Sequence, residues 1–340
     1  MKRHVLVVRL DSVGDVLLSG PAIRAAAHRS RVTVLCGPRG DKAARILPGV
    51  HDVVVWHCPW VDPTPSAVRR HDIESVRRRL TRGRFDCALV LTSHHQSALP
   101  TALLSRMAGI PRIAAISEDY PGSLLDIRLQ PGIDVHDGLP EPERALAVAK
   151  AAGFTLGSND DGRLAVLGLP APPRAVGTEP YVVLHPGASV PARAWSPQRC
   201  AQTVTELAER GRRVVVTGGQ DERALTARVA GDRGIDLGGH TTLSELAAVI
   251  AGADAVVVGN TGPAHLAAAV GTPVVSLFSP VVPARQWAPY RVAHVLLGDQ
   301  DSPCRNTRAR VCPLARHSCL DSVTAVDVAD AVERLEGART

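Results

Sequence analysis

The chain has 340 residues, 45% of them hydrophobic, and a formal charge of +6. That length accommodates one large or two ordinary domains with sizeable cores, and only ten aromatic residues make those cores aliphatic. Lys2, Lys42 and Lys150 are the only lysines, so the positive charge is nearly all arginine; it suits phosphate-bearing ligands, while the lack of basic residues interleaved with stacking aromatics argues against nucleic acid.

The chain enters a strand at Val5–Val8 without the n-region, apolar h-region and cleavage site of a signal peptide. No stretch approaches 18 uninterrupted apolar residues, so no membrane span is expected. A cytoplasmic location follows, with peripheral contact at the inner face of a membrane as an extension. Further strands are expected at Val32–Cys36, Val53–Trp56, Cys87–Leu91 and Arg112–Ile116. Helical patterns lie between them at Pro21–His28, Ile73–Leu80 and Pro100–Ala108, followed by one from Leu139 to Gly153. This rhythm predicts an α/β fold with a parallel sheet covered on both faces. The basic cluster Arg69, Arg70, His71 and Arg77–Arg79 reads first as a solvated helix face, second as a membrane or acceptor contact. Loops Cys58–Ser66 and Thr92–Ser97 carry no motif that identifies an acceptor.

Gly157 to Thr178 is rich in Gly, Pro, Asp and Asn, and Pro170-Ala171-Pro172-Pro173 cannot be helix. The domains are therefore drawn as 1–170 and 171–340. The rhythm then restarts with strands Tyr181–Leu184, Val214–Thr217, Ala255–Val258, Val274–Leu277 and His294–Leu297. The intervening helices are Pro197–Arg210, Glu222–Ala230, Leu243–Ala251 and Pro263–Val270. Thr242 and Glu245 form a capping box. The last helix, from about Thr324 to Glu336, has Val328, Val332 and Leu335 on one face. Two such halves offer their strand C-terminal ends to a ligand cleft. The seven cysteines are expected as reduced thiols. The spacing of Cys304, Cys312 and Cys319 near His317 is not that of a zinc ribbon or finger, so packed or exposed thiols are favoured over a metal site.

Four strand ends could carry chemistry. The loop Arg9-Leu10-Asp11-Ser12-Val13-Gly14-Asp15 is neither a dinucleotide fingerprint nor a Walker A loop, which removes support for hydride transfer and P-loop phosphoryl transfer. It offers Asp15, as a general base or as a helix cap. The stretch His185-Pro186-Gly187-Ala188-Ser189 leads to Arg193, which can make a bidentate phosphate contact. Thr217-Gly218-Gly219-Gln220-Asp221-Glu222 places acids where a ribose could be held, or where a helix dipole favours them. Gly259-Asn260-Thr261-Gly262-Pro263-Ala264-His265 follows an apolar strand. Pro263 suits the first helical position and Thr261 or Gly262 the cap, so free N–H groups converge on a ready anion site. A plain βα turn is the competing interpretation. Phosphate-binding ends in one half and a carboxylate in the other suit nucleotide-sugar transfer.

These motifs, in this order, resemble glycosyltransferase family 9, the ADP-heptose:lipopolysaccharide heptosyltransferases, over roughly residues 4 to 336. Cys304, Cys312 and Cys319-Leu320 resemble the family's C-terminal region. The resemblance implies a GT-B fold of two Rossmann-like domains, an acceptor-binding first half and a donor-binding second half, with the last helix crossing back to the first. It implies inverting transfer of a heptose or related sugar from a nucleotide diphosphate, such as ADP-heptose, to a hydroxyl of a glycan, lipid-linked or small-molecule acceptor. No cofactor is implied, and the enzyme is expected as a monomer. No divalent cation is expected either: no Asp-x-Asp pair is read at a strand end, and Arg193 with the helix start at Gly262 takes the cation's place. Asp15 matches the general base. Gly14, Ser189, Arg193, Asp221 or Glu222, Asn260, Thr261, Gly262 and His265 match donor contacts. The family usually carries aspartate before Thr-Gly. Asn260 stands there instead and cannot act as acid or base. A sugar-nucleotide epimerase and a non-catalytic nucleotide-sugar binder are the alternatives.

Overall fold

A computed structural model describes residues 2–93 and 95–337 of the chain. The chain divides into two units, Met1–Leu167 and Gly168–Thr340. In the first, strands β1 (Arg3–Arg9), β2 (Ser30–Cys36), β3 (Asp52–Val55), β4 (Cys87–Val90), β5 (Ile113–Ile116) and β6 (Ile127–Leu129) alternate with helices. These are α1 (Val13–Leu18), α2 (Gly20–Ala27), α3 (Asp41–Ile46), α4 (Arg70–Gly83), α5 (Leu99–Met107) and α6 (Glu141–Ala151). The second unit has strands β7 (Tyr181–His185), β8 (Arg213–Val216), β9 (Ile235–Asp236), β10 (Ala255–Gly259), β11 (Val274–Leu277) and β12 (His294–Leu297). Its helices are α7 (Pro197–Glu209), α8 (Arg223–Ala230), α9 (Leu243–Ala251), α10 (Gly262–Val270), α11 (Ala284–Trp287), α12 (Ser318–Asp321) and α13 (Ala325–Gly337).

Both sheets are parallel and six-stranded, in the orders β3-β2-β1-β4-β5-β6 and β12-β11-β10-β7-β8-β9. Read from the other edge, the second order repeats the first. Each sheet therefore reverses its winding between its first and fourth strands, β1/β4 and β7/β10. Ligands of open α/β sheets bind outside the strand ends at such a point. The register holds the central strands deep: Val5–Val8 and Val256–Val258 are at most 1% exposed. Near-continuous Val and Leu runs are what strands covered on both faces require. Fully burying such a side chain contributes about 1.5–3 kcal/mol.

Six elements lie outside the sequence reading, among them the four-residue helices α11 and α12. The edge strands β6 and β9 have no apolar run, only half-buried Ile127-Arg128-Leu129 and the two residues Ile235 and Asp236. Helices α1 and α3 are six residues long, too short for a periodicity to show. The last helix contributes to the core of its own unit. Val328, Ala329, Ala331, Val332 and Leu335 are buried in the core of the second unit with Leu207, Val257 and Val275, so α13 packs on its own sheet and on α7. Its apolar face is consumed there. On α4 only Val76 and Leu80 are buried, and Glu74 pairs with Arg77 and Arg78 at 2.7 and 2.8 Å. Its arginines thus lie on a solvated face. Among the described residues no helix is long and apolar enough to cross a membrane.

Candidate active site at the sheet switch points

In the first unit, β1 ends on Arg9, whose side chain is 3% exposed. A guanidinium at that depth needs carboxylates, and the fold supplies three. Arg9 Nε lies 3.0 Å from Asp11, and Nη2 lies 3.0 Å from Asp15 and 3.6 Å from Glu141 at the start of α6. Nη2 also donates to Ser93 Oγ beyond β4, at 2.9 Å. Gln96 donates to Asp11 at 2.5 Å, and Arg144 stands 3.4 Å from Glu141. A cavity of about 190 Å³ adjoins this group, its wall including Ser93, Gln96, Ser97, Ser117 and Arg144. A larger open hollow, about 780 Å³, runs along α13 by Leu297 and Glu333 and holds none of the strand-end groups.

Asp15 is one turn into α1. Its Oδ2 accepts from the Ser12 N–H at 3.1 Å and the Ser12 hydroxyl at 2.6 Å, so it reaches back as the acid of a capping box. The capping role is therefore present, and the Arg9 pair is present beside it. Burial pushes the Asp15 carboxyl up, but Arg9 and the two Ser12 bonds outweigh it and hold Asp15 below the usual carboxylate range. Asp11 moves the other way. Burial lifts its carboxyl, Arg9 opposes, and the Asp15 charge adds to the rise. Burial likewise lifts Glu141, against Arg9 and Arg144. For Arg9 itself burial favours the neutral form, yet the three carboxyls keep it firmly protonated. Breaking such a buried pair by deleting one partner costs about 3–5 kcal/mol.

In the second unit, β7 ends on His185, whose Nδ1 meets Thr217 Oγ1 at 3.0 Å and whose Nε2 is 3.8 Å from Glu222. Burial holds His185 below its ordinary value, against the Glu222 charge. Glu222 accepts from Gly219 N–H at 2.7 Å. Gly187 is glycine for a physical reason: a Cβ there would lie 1.9 Å from the Glu222 carboxylate. Of the two candidate acids, Glu222 thus faces the β7 end, and Asp221 is exposed. Arg193 is half-buried, its Nη1 3.5 Å from the Asn260 carbonyl. Its own carbonyl would be 3.1 Å from a Cβ at Gly259. The Arg193 loop is fastened behind by Ala192 N–H to Arg310 (3.0 Å) and by Trp195 Nε1 to Leu320 (3.1 Å). Ser189 is exposed.

Helix α10 begins at Gly262, with Thr261 as its extended N-cap and Pro263 second rather than first. Asn260 is 4% exposed and His265 5%. Neither amide atom of Asn260 nor the Thr261 hydroxyl has a hydrogen-bond partner among the described residues. Buried polar groups left this way are rare and call for an explanation. A bound oxyanion at the α10 start would accept from Asn260 Nδ2 and the Thr261 hydroxyl. The second unit thus brings together Arg193, Glu222, Asn260, Thr261, Gly262 and His265 at neighbouring strand ends. Gly14 is not among them, since it is buried in α1 of the first unit.

Sequence reading missed Arg9, Ser93, Gln96, Glu141 and Arg144. The one available signal was an arginine closing an otherwise apolar buried strand. The candidate acceptor loop 92–97 contains His94, which lies outside the described residues. The reading that no Asp-x-Asp pair follows a strand is corrected: Asp299 and Asp301 stand directly after β12. They form a local turn, with Asp301 N–H on Asp299 at 2.9 Å and Asp301 on Arg305 at 3.1 Å. All seven cysteines are free thiols, Cys304 and Cys319 buried and Cys312 half-buried. No group of three or more His, Cys, Asp or Glu able to hold a metal occurs among the described residues.

The family model described as glycosyltransferase family 9 (heptosyltransferase) matches residues 73–317. Lipopolysaccharide heptosyltransferase 1 of Pseudomonas aeruginosa is 28% identical over 330 residues, covering 91% of this chain and 87% of that protein. The solved ADP-heptose lipopolysaccharide heptosyltransferase II of E. coli aligns with a TM-score of 0.72 at 19% identity, covering 100% of this chain and 99% of that one. E. coli heptosyltransferase WaaC, solved with ADP-2-deoxy-2-fluoro heptose, aligns at 0.71 and 19% identity, covering 97% and 99%. The fold is therefore the α/β fold of the solved heptosyltransferases, and the chain belongs to glycosyltransferase family 9 as one of its glycosyltransferases.

Proposed function

We propose that this enzyme transfers a heptose from ADP-heptose to a hydroxyl of a lipopolysaccharide-type glycan, with inversion, without a divalent cation, and with Asp15 as general base. The observation that carries the reading is the α10 start. Asn260 and Thr261 present buried polar atoms at the positive end of the α10 dipole, and Arg193 stands next to them. Such a terminus favours a diphosphate, and a leaving diphosphate is what this transfer must stabilise. Arg193 and the helix start at Gly262 then neutralise the leaving group in place of a metal ion, and Glu222 accepts from the donor's ribose hydroxyls. The first unit contributes the acceptor side. As the sugar's anomeric carbon is attacked from the face opposite the diphosphate, the acceptor hydroxyl gives its proton to Asp15. The enzyme would act as a monomer at the cytoplasmic face of a membrane.

The test is a donor screen with ADP-, UDP-, GDP- and dTDP-sugars, followed by mass spectrometry of the acceptor. ADP-heptose should raise the melting temperature most, and ADP should appear only when a heptosylated product does. Sugar isomerisation without acceptor would identify an epimerase, and binding without turnover across acceptors would identify a binder.

Two further outcomes follow from the donor site. Turnover should be unchanged in EDTA; activity lost there and restored by Mg²⁺ or Mn²⁺ would refute the metal-free leaving group. Gly187→Ala should displace the flexible end of Glu222 and leave the fold intact. Losing one hydrogen bond to a charged group predicts donor affinity weaker by about tenfold or more. An unaltered dissociation constant for ADP by calorimetry would remove Glu222 from the donor site.

A further inference from the structure

Arg9 Nη2 donates to Asp15 at 3.0 Å and to Ser93 at 2.9 Å, and the Glu141 carboxylate lies 3.6 Å from the same nitrogen as a second negative charge. Glu141 is the deepest of the three acids, its side chain 2% exposed against 11% for Asp11 and 15% for Asp15. It comes from α6, far along the chain, and an acid that merely complements a helix dipole has no need of that depth. A lone guanidinium on Asp15 in a buried site would stabilise the carboxylate strongly, because charges there are poorly screened. A carboxylate so stabilised is a poor base. A second carboxylate on the same nitrogen draws part of that charge away and repels the charge on Asp15.

We propose that Glu141 is a positioning residue, which shares Arg9 with Asp15 and so keeps the Asp15 carboxylate basic enough to accept the proton of the acceptor hydroxyl. The proposal rests on the reading of Asp15 as base. The groups around the pair are accounted for. Arg144 faces Glu141 on α6 at 3.4 Å. On the strand-end loops, Ser12 bonds Asp15 and Ser93 bonds Arg9, and Asp11 lies on Arg9 Nε with Arg39 in its field. On α3, Asp41 and Arg45 pair with each other at 2.8 Å, and on α2 Arg24 is taken by Asp160 at 2.6 Å.

Burial lifts the Glu141 carboxyl while Asp15 is held low. The acid limb of kcat should therefore report Glu141 and lie above the usual carboxylate range. As pH falls through that limb, Glu141 becomes neutral, its charge no longer offsets Arg9 at Asp15, and the base weakens. Glu141→Gln mimics the neutral form at every pH.

The experiment compares kcat against pH for the wild type, Glu141→Gln and Asp15→Asn, using ADP-heptose with heptose-deficient lipopolysaccharide. Slow hydrolysis of ADP-heptose by water is the second readout. Glu141→Gln should lower the plateau by about threefold to tenfold, as expected for a weakened base. It should also abolish the limb, while ADP affinity stays near wild type. A wild-type limb and plateau in a folded Glu141→Gln overturn the proposal, as does a drop in melting temperature without a change in the profile. Should Glu141→Gln not fold, Glu141→Asp withdraws the charge by one methylene and should lower the plateau by less; an unaltered plateau there overturns it equally. If Asp15→Asn keeps wild-type turnover, the base reading fails. If Asp15→Asn collapses turnover while Glu141→Gln keeps the limb, only the Glu141 assignment fails.

Discussion

Asp15→Asn is expected to lower kcat by about 10²–10⁴, the usual contribution of a positioned general base, while donor affinity stays near wild type. The carboxylate lies at the switch point of the first sheet, one oxygen on Arg9 and the other on Ser12. Held below the usual range, it is fully ionised at neutral pH and ready to accept a proton. The driving force comes from the acceptor, whose hydroxyl becomes strongly acidic as its bond to the anomeric carbon forms. The substitution also touches the capping box, worth about 0.5–2 kcal/mol, and removes one charge from the buried Arg9 group, a loss of up to about 3–5 kcal/mol. That loss appears in the melting temperature, not in kcat of the folded fraction, so the two roles separate when both are measured. A large thermal loss with normal kcat would reduce Asp15 to a cap. The rival base is Asp11, bonded to Gln96 and lifted by burial. Near-normal kcat in Asp15→Asn together with collapse in Asp11→Asn would transfer the role to it.

Arg193→Ala should reduce kcat/KM for the donor by roughly 10- to 150-fold, from a charge-assisted contact on the order of 1.5–3 kcal/mol. The side chain leans on the Asn260 carbonyl at the start of α10, and Trp195 and Ala192 fix its loop from behind. A pre-positioned guanidinium pays little ordering entropy when the diphosphate arrives. Arg193→Lys should recover part of the loss, since an ammonium neutralises phosphate without the bidentate fork. Equal kcat/KM in wild type and Arg193→Ala would show that this loop points away from the donor.

The strands that carry both sites were legible because strands buried on both faces must be runs of Val, Ile and Leu. The Thr242–Glu245 capping box was legible for a similar reason: its two bonds span three residues, and the structure contains both. The turn from Gly259 to His265 also announced itself, as an apolar strand stopping at glycine before a proline-started helix. Strands β6 and β9 did not, because they are only three and two residues long and lack a buried apolar run. The choice between Asp221 and Glu222 was likewise hidden. Glu222 is favoured by its close approach to Gly187, and those residues belong to different strand ends.

Chain-local chemistry was enough to establish a doubly repeated α/β chain, its glycine-rich strand ends and the anion-suited start of α10, since each depends on neighbours within one turn or one strand. The company Asp15 keeps could not be read that way. Arg9 reaches Ser93 across 84 positions, Gln96 reaches Asp11 across 85, and Glu141 arrives from the start of α6. These groups meet because β4 is laid beside β1 rather than beside β3. Strand order arises from the packing of whole sheets, and burial at the switch point then sets which carboxyl is held low and which is lifted.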